Sequence, residues 1–238
     1  MQGQAVQLAF VSDVHSNIHA LEAVLDHARG EGAEQVLCAG DIVGYNARPN
    51  ECIALLRKQN VSAVMGNHDW AATDGETEGF NPYAVAGVEH SRRALSEENK
   101  RWLLGLPRGL DVEMGGARVA VFHGSPRDPL FEYVFPTVDG KVLKELAKAA
   151  GNPQVVALGH THLPMRLSAK ADKGPLFVNP GSVGQPRDGD PRSSYLLLDT
   201  QRLTTAFHRV PYDVEAAAAD VRAAGLPEFL WQRLLKGL

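Results

Sequence analysis

LAFVSDVH (Leu8–His15) begins as a buried strand and closes on two metal-binding side chains. A short apolar run with β-branched residues fits a strand covered on both faces, here Gln7–Val11. Asp13 and His15 then fall just past its C-terminal end, at alternate positions on one side of an extended segment. In α/β sheets that end is where ligands bind. Four more runs repeat the pattern: QVLCAGD (Gln35–Asp41), SAVMGNHD (Ser62–Asp69), ARVAVFHG (Ala117–Gly124) and VVALGHTH (Val155–His162). Five strands would deliver Asp13, His15, Asp41, Asn67, His123, His160 and His162 to one rim.

Around these strands the pattern alternates. Helices are expected at Ile18–Arg29 and Pro49–Gln59, with Pro49 placed as a first-turn proline, and a strand at Ala63–Met65. This βαβαβ rhythm implies a parallel sheet. Pro82–Leu106 reads as a helix pair, with Ser96 as the N-cap of the second member. The pair ends at Gly105–Pro107. Leu110–Glu113 and Arg118–Phe122 form a hairpin around Met114-Gly115-Gly116. Val138–Ala150 has helical spacing. Met165–Ala169, Leu176–Asn179, Tyr195–Asp199 and Leu203–Val210 are short strands between Gly/Pro turns and read as antiparallel. Val214–Ala224 and Pro227–Leu235 are helical. Two sheets packed face to face, with helices outside, accommodate this order as one α/β domain over residues 1–238. Glu76–Asn81 is the expected mobile loop.

Composition narrows the function. The chain has 238 residues, 44% of them apolar, enough for a sizeable core. Its net charge is −4 and it has no Lys/Arg run, which argues against duplex nucleic acid as a partner. Cys38 and Cys52 are the only cysteines and read as inert core thiols. No window approaches the length of a membrane span, and the N-terminus lacks a signal-peptide pattern. The expectation is a soluble cytoplasmic protein, with a homo-oligomer left open.

Seven oxygen and imidazole ligands, with no thiolate, suit Mn, Fe, Ni, Co or Zn. They exceed one coordination sphere. Two divalent metal ions sharing Asp41 as a bridge fit the number, and such a pair activates water against a phosphoryl group.

In this order and spacing, Asp13-Val-His15, Gly40-Asp41, Gly66-Asn67-His68-Asp69, His123 and Gly159-His160-Thr161-His162 resemble the calcineurin-like metallophosphoesterases. The match spans about 150 residues. It implies a four-layer α/β/β/α sandwich. One metal would take Asp13, His15, Asp41 and His162, and the other Asp41, Asn67, His123 and His160, with Mn the first expectation. A metal-bound hydroxide would attack phosphorus in line. His68 would act as general acid or stabilise the transition state, with Asp69 orienting it. The protein phosphatases of the superfamily carry an Arg soon after Gly-Asp. Gly40-Asp41-Ile-Val-Gly-Tyr45-Asn46 has none, and Arg48 sits further on. The chain looks more like the small bacterial and archaeal branch, and its implied partner is a small phosphorylated substrate such as a nucleotide or dinucleoside polyphosphate. A phosphomonoesterase or protein phosphatase, and a non-catalytic scaffold on the same fold, are the rivals.

Substrate-side candidates follow from placement. Tyr45 and Trp70 lie beside ligand motifs. Phe131, Tyr133 and Phe135 alternate after HGSP and either pack on the core or offer a platform on which a base stacks. Asn179-Pro-Gly-Ser-Val-Gly184 follows a strand at the same rim, where Ser182 and backbone N–H groups would line an anion pocket or simply make a turn. Arg187 reads as a solvated turn charge. His19, His27, His90 and His208 lie outside the motifs and read as ordinary structural or surface residues.

Overall fold

Alternation within single strands sets the layers. In β1 (Gln7–Val11), Leu8 and Phe10 enter one apolar cluster while Ala9 and Val11 enter another. The computed structural model describes residues 6–168 and 174–238. After β1 come α1 (Ile18–Gly30), β2 (Gln35–Cys38), α2 (Pro49–Lys58), β3 (Ser62–Ala63), α3 (Asn67–Thr73), α4 (Pro82–Ala94) and α5 (Glu97–Leu104). The second half contains β4 (Gly109–Met114), β5 (Ala117–Phe122), α6 (Gly140–Ala149), β6 (Val155–Ala157), β7 (Pro164–Ser168) and β8 (Leu176–Pro180). The chain then runs through β9 (Ser193–Asp199), β10 (Thr204–Val210), α7 (Val214–Ala223) and α8 (Glu228–Leu234).

Two five-stranded mixed sheets result, ordered β10-β9-β1-β2-β3 and β4-β5-β6-β8-β7. Leu8, Phe10, Leu37 and Leu196 of the first meet Val119, Val121, Val155 and Val178 of the second in the central core. The outer face of the first sheet carries Ala9, Val11 and Cys38 against Leu21 and Val24 of α1 and Cys52, Ile53 and Leu56 of α2. On the second sheet Ala120, Val156 and Phe177 face Leu143 and Leu146 of α6. This is the expected four-layer α/β/β/α sandwich. Burying a Leu, Val or Phe side chain stabilises by about 1.5–3 kcal/mol, and strands covered on both faces must be apolar throughout, which is why these runs are so legible. Among the described residues no helix is long and apolar enough to cross a membrane.

Three local differences from the sequence-based expectations have physical causes. The segment after β3 leaves its sheet early, because the Met65 N–H donates to the Pro107 carbonyl at 2.8 Å. Asn67 and His68 therefore lie in the first turn of α3 and not at a strand end. The strand at Leu176 pairs in parallel with β6, since the chain first runs out to the edge as β7, which is antiparallel to β8. The last residue of the expected strand at Ala169 lies outside the described residues. Helix α6 starts at Gly140, where the Asp139 side chain accepts from the Lys141 N–H at 2.6 Å. Asp13, Asp41, His123 and His160 follow β1, β2, β5 and β6, so the C-terminal ends of parallel strands from both sheets meet at one rim.

Candidate metal centre

Asp13, His15, Asp41, His160 and His162 all sit at positive φ, between 46° and 69°. A non-glycine residue held there costs on the order of 1–3 kcal/mol, and such strain persists where surrounding contacts enforce it. The contacts are present. Asp13 N–H donates to the Gly40 carbonyl at 3.0 Å and His15 N–H to the Asp41 carbonyl at 2.9 Å, while Gly159 N–H donates to the His123 carbonyl at 2.9 Å. His160 N–H reaches Asp13 Oδ2 at 3.1 Å. The loops are thus laced across both sheets. Gly66 is required by the crowding: a Cβ there would stand 2.1 Å from Asp41 Oδ1 and 2.3 Å from Asp41 N.

Carbonyl oxygens fix the imidazole tautomers. His15 Nδ1 donates to Val43 O at 3.1 Å, His162 Nδ1 to Gln185 O at 2.5 Å and His123 Nδ1 to Ala39 O at 2.9 Å. A carbonyl only accepts, so in the neutral ring each Nε2 carries a lone pair. His15 Nε2 and His162 Nε2 face each other at 3.1 Å, with Asp13 Oδ1 at 3.8 and 3.3 Å from them. Asp13 Oδ1 has no hydrogen-bond partner. On the other side, His123 Nε2 faces Asn67 Oδ1 at 2.9 Å and His160 Nδ1 at 3.1 Å. Asp41 Oδ2 stands between the groups, 3.6 Å from His15 Nε2 and 3.3 Å from His123 Nε2.

So many acceptors with so few protons are answered by cations. Asp13, His15 and His162 form one cluster that could hold an ion, and Asp41, His123 and His160 another. The oxygen and imidazole donor set fits a hard or borderline divalent ion. Electrostatics agree. Burial holds the His15 and His162 rings well below the usual imidazole range. Burial also pushes the Asp13 carboxyl up, with Asp41 adding to the rise. Burial pushes Asp41 the same way, but the imidazoles of His123, His68 and His15 outweigh it and hold its carboxyl far down. At His123 burial lowers and Asp41 raises, and the net is a rise to about 9.

Residues 6–203 match the calcineurin-like phosphoesterase superfamily domain. The chain belongs to that superfamily. It is 34% identical over 244 residues to the uncharacterised protein MJ0912 of Methanocaldococcus jannaschii, covering 97% of this chain and 98% of that one. It is 26% identical over 211 residues to the phosphodiesterase YfcE of Escherichia coli K12, covering 84% and 90%. The structure of a metallophosphoesterase from Sphaerobacter thermophilus superposes with a TM-score of 0.82 at 35% identity, covering 99% of this chain and 100% of that one.

Within this phosphoesterase the remaining candidates separate clearly. His68 sits beside the metal cluster, its ring edge-on to His15 at 4.8 Å, and its N–H donates to Asp41 Oδ1 at 2.8 Å. Burial lowers its pKa to about 4, with Asp41 opposing. Asp69 does not meet the His68 ring. Its Oδ1 accepts from the Ile42 and Val43 N–H groups at 2.8 and 3.0 Å, and its Oδ2 from Gly66 N–H at 2.9 Å. It clamps the loop after Asp41 onto α3, so its orienting role falls on the backbone.

Ser182 is fully buried and is not a substrate group. Its hydroxyl donates to the Asp13 carbonyl at 2.8 Å and accepts from Gln185 N–H at 2.8 Å. The neighbouring N–H groups are also spent: Gly181 on Asn179 Oδ1, Val183 on Ser12 O and Gly184 on Asp13 O. The rim segment 179–184 is thus a peg for β1's ligand loop and leaves no backbone anion pocket there.

The aromatics lie outside the core. Phe131, Tyr133 and Phe135 are exposed. Tyr133 stacks on His160 with ring centroids 3.7 Å apart, and Phe131 meets Trp70 edge-on at 5.6 Å. Tyr133, Phe131, Phe80, Tyr45, His68 and His160 line one cleft of about 190 Å³, and Glu78–Asn81 of the expected mobile loop forms part of its wall. Tyr45 is buried beneath it, edge-on to His15 at 4.7 Å. Arg48 is tied to Asp220 at 2.6 Å and does not replace the missing arginine. Arg187 departs from expectation: it is half-buried, its guanidinium carbon lies 5.5 Å from the Tyr45 ring centroid, and its charge is felt at Asp13, His15 and His162. Its position directly after the rim segment that follows β8 was the available signal. The other histidines have structural partners: His19 with Asp220, His27 with Tyr195, His90 with Ala47 O, and His208 stacked on Tyr195.

Proposed function

We propose that this chain hydrolyses phosphodiester or nucleotide phosphoanhydride bonds with two divalent cations. One would be held by Asp13, His15, Asp41 and His162, the other by Asp41, Asn67, His123 and His160, and Mn is the ion we favour. The observation that carries the reading is the single Asp41 Oδ2 standing 3.6 and 3.3 Å from imidazole nitrogens of both clusters. Bound divalent ions acidify water and neutralise phosphoryl charge. The chain's own residues do the rest. Val43, Gln185 and Ala39 carbonyls hold three imidazoles with their lone pairs inward. His68 gives an imidazole proton to the departing oxygen and regains one from solvent. Its low proton affinity rises when an anionic phosphate sits beside it. Tyr133 and Phe131 offer π-faces on which a nucleobase stacks.

The test is turnover of bis(p-nitrophenyl) phosphate, p-nitrophenyl phosphate and a dinucleoside polyphosphate by the protein loaded with Mn²⁺. Faster diester or anhydride cleavage than monoester cleavage supports the reading. A monoester preference replaces it with a phosphomonoesterase, and no turnover of any of the three by metal-loaded protein replaces it with a binding scaffold.

A further inference from the structure

Acceptors without protons mark the metal centre; beside it lie donors without acceptors. Gln185 is 1% exposed and its backbone carbonyl orients His162. Its Oε1 accepts from Arg187 Nη2 at 3.0 Å, which leaves its Nε2 without a partner. Arg187 Nε is likewise closed off from water and unanswered. Leaving such donors unmet is unfavourable, so a buried pair of them marks a place where acceptor oxygens belong.

A second guanidinium stands close by. Helix α8 brings Arg233 to the other protein element that meets Tyr45: its guanidinium carbon lies 5.8 Å from the Tyr45 ring centroid and 5.2 Å from that of Phe229. Its Nε donates to the Leu238 carbonyl. Among the described residues no Asp or Glu pairs with Arg187 or Arg233. Other surface arginines of this chain do find carboxylates, including Arg48, Arg118, Arg127, Arg192 and Arg209. Burial and the nearby Arg187 lower Arg233 to about 10, as two cations without a counter-charge must. Tyr45 is placed against both His15 and these guanidinium groups, so the cationic lip adjoins the metal centre.

We propose that Gln185, Arg187 and Arg233 form an anion subsite at the edge of the metal centre that takes a second phosphate of the substrate. The preferred substrates are then phosphoanhydrides with at least two adjacent phosphates: one phosphate lies at the Asp41 cluster and the next on the arginines. The proposal rests on the phosphoesterase reading of the centre. A simple diester fills the first position and leaves the second empty. Guanidinium groups suit the second, since they stay charged and meet phosphate oxygens with paired N–H groups.

The test compares inorganic pyrophosphate with inorganic phosphate as ligands of the metal-loaded protein, by inhibition of bis(p-nitrophenyl) phosphate turnover and by calorimetry, with free Mn²⁺ held constant. The unmodified protein should bind pyrophosphate at least tenfold more tightly than phosphate. Arg233→Gln should reduce that preference about tenfold, the scale of one lost charge-assisted hydrogen bond. Arg187→Gln should reduce it similarly, and Arg233→Lys, which keeps charge and length, should retain part of it and covers the case where Arg233→Gln fails to fold. Equal losses for both ligands would place the arginines on the reacting phosphate and overturn the proposal. So would an unmodified protein without a pyrophosphate preference. The calorimetric arm needs no turnover. A pyrophosphate preference that Arg233→Gln abolishes in a protein that hydrolyses nothing would uphold the subsite while sinking the enzymatic reading.

Discussion

His160 and His162 are two residues apart, yet their surroundings are opposite. His162 stacks with His15 at 4.9 Å and is buried among polar partners: the Gln185 carbonyl, Asp13 and, beyond them, Arg187. His160 carries Tyr133 on its face and opens on a cleft walled by Phe80 and Phe131. The alternation of GHTH explains the split. The polar pocket is the more closed of the two and is bounded by unanswered donors, which suits a phosphate chain. The aromatic pocket adjoins solvent and suits a flat, apolar ring. A substrate with both parts would lie across the centre, with Asp41 beneath the reacting phosphorus.

Asp41 is the one residue that belongs to both pockets, so its loss should have the largest effect. Asp41→Asn keeps the shape and removes the shared charge. Metal-assisted stabilisation is worth several kcal/mol, so activity should fall on the order of 10³-fold or more. Elemental analysis should find both ions lost. His162→Ala and His160→Ala should each lose one ion more readily than the other. Asp41→Asn protein that retained two ions and most of its turnover would end the idea of a shared carboxylate.

His68 stands beside both pockets without belonging to either, which predicts a loss in chemistry and not in metal. His68→Ala should reduce turnover by roughly 10²–10⁴-fold. An alkyl or nucleoside ester should suffer more than a nitrophenyl ester, whose leaving group needs little protonation. Metal content should hold. Equal losses on both esters would remove the general-acid role, and a loss of metal would move His68 among the ligands.

The strands and ligands of both pockets are legible in the sequence, for the same reason. A strand buried on both faces is apolar at every position, as in Val155-Val156-Ala157, and a polar side chain just past it must do something other than pack. The supports are much less visible. Asp69 looks like a partner of its neighbour His68, whereas its oxygens take backbone N–H groups 24 to 27 positions back in the chain and the N-cap of its own helix. Ser182 resembles a rim hydroxyl but is consumed by the Asp13 and Gln185 main chain. Arg187 and Arg233 are 46 positions apart and meet only through Tyr45. Such contacts depend on tertiary placement, and no local period encodes them. The aromatic trio is intermediate: its alternation is visible, and only the fold decides that it faces solvent at His160.

Removing metal should destabilise the protein, and the polar pocket should account for most of it, because its two lone pairs face each other at 3.1 Å. An ion present at a hundredfold over its Kd stabilises by about 2.7 kcal/mol, equivalent to roughly 5–10 °C in Tm for a chain of this size. Chelation should lower Tm by that amount and Mn²⁺ restore it. His162→Ala, which removes one of the opposed nitrogens, should shrink the chelator's effect more than His160→Ala does. An unchanged melting curve after confirmed metal loss would contradict a cage that ties the two sheets together.

Protons should leave when ions enter, and from different groups in each pocket. In the metal-free protein Asp41 raises His123 to about 9, and burial raises Asp13 to about 7. A raised pKa means the group holds a proton below that value, so metal must displace it and affinity rises with pH through the same range. Near pH 8 about one proton should be released per chain, chiefly from His123, and near pH 6 about two, as Asp13 joins. Calorimetry in buffers of different ionisation enthalpy reads the number. His123→Gln should abolish the release near pH 8, and Asp13→Asn only the increment near pH 6. Release independent of pH over this range would contradict both assignments.

The smallest effect expected belongs to the open side of the aromatic pocket. Tyr133 is half exposed and touches the centre only through its stack on His160. Base–aromatic stacking is worth about 1–3 kcal/mol, so Tyr133→Ala should raise KM for a dinucleoside polyphosphate by roughly tenfold while altering kcat much less. The stack also braces an imidazole, and that second role has its own signature. If Tyr133 merely positions His160, then Tyr133→Ala lowers metal affinity, and excess Mn²⁺ restores the activity on every substrate alike. If Tyr133 holds a base, Mn²⁺ does not rescue it, Tyr133→Phe restores KM because the π-face returns, and inorganic pyrophosphate, which has no base, loses no affinity. A KM that stays constant in Tyr133→Ala for nucleotide substrates would remove the aromatic platform and leave the polar side of the centre as the sole source of selectivity.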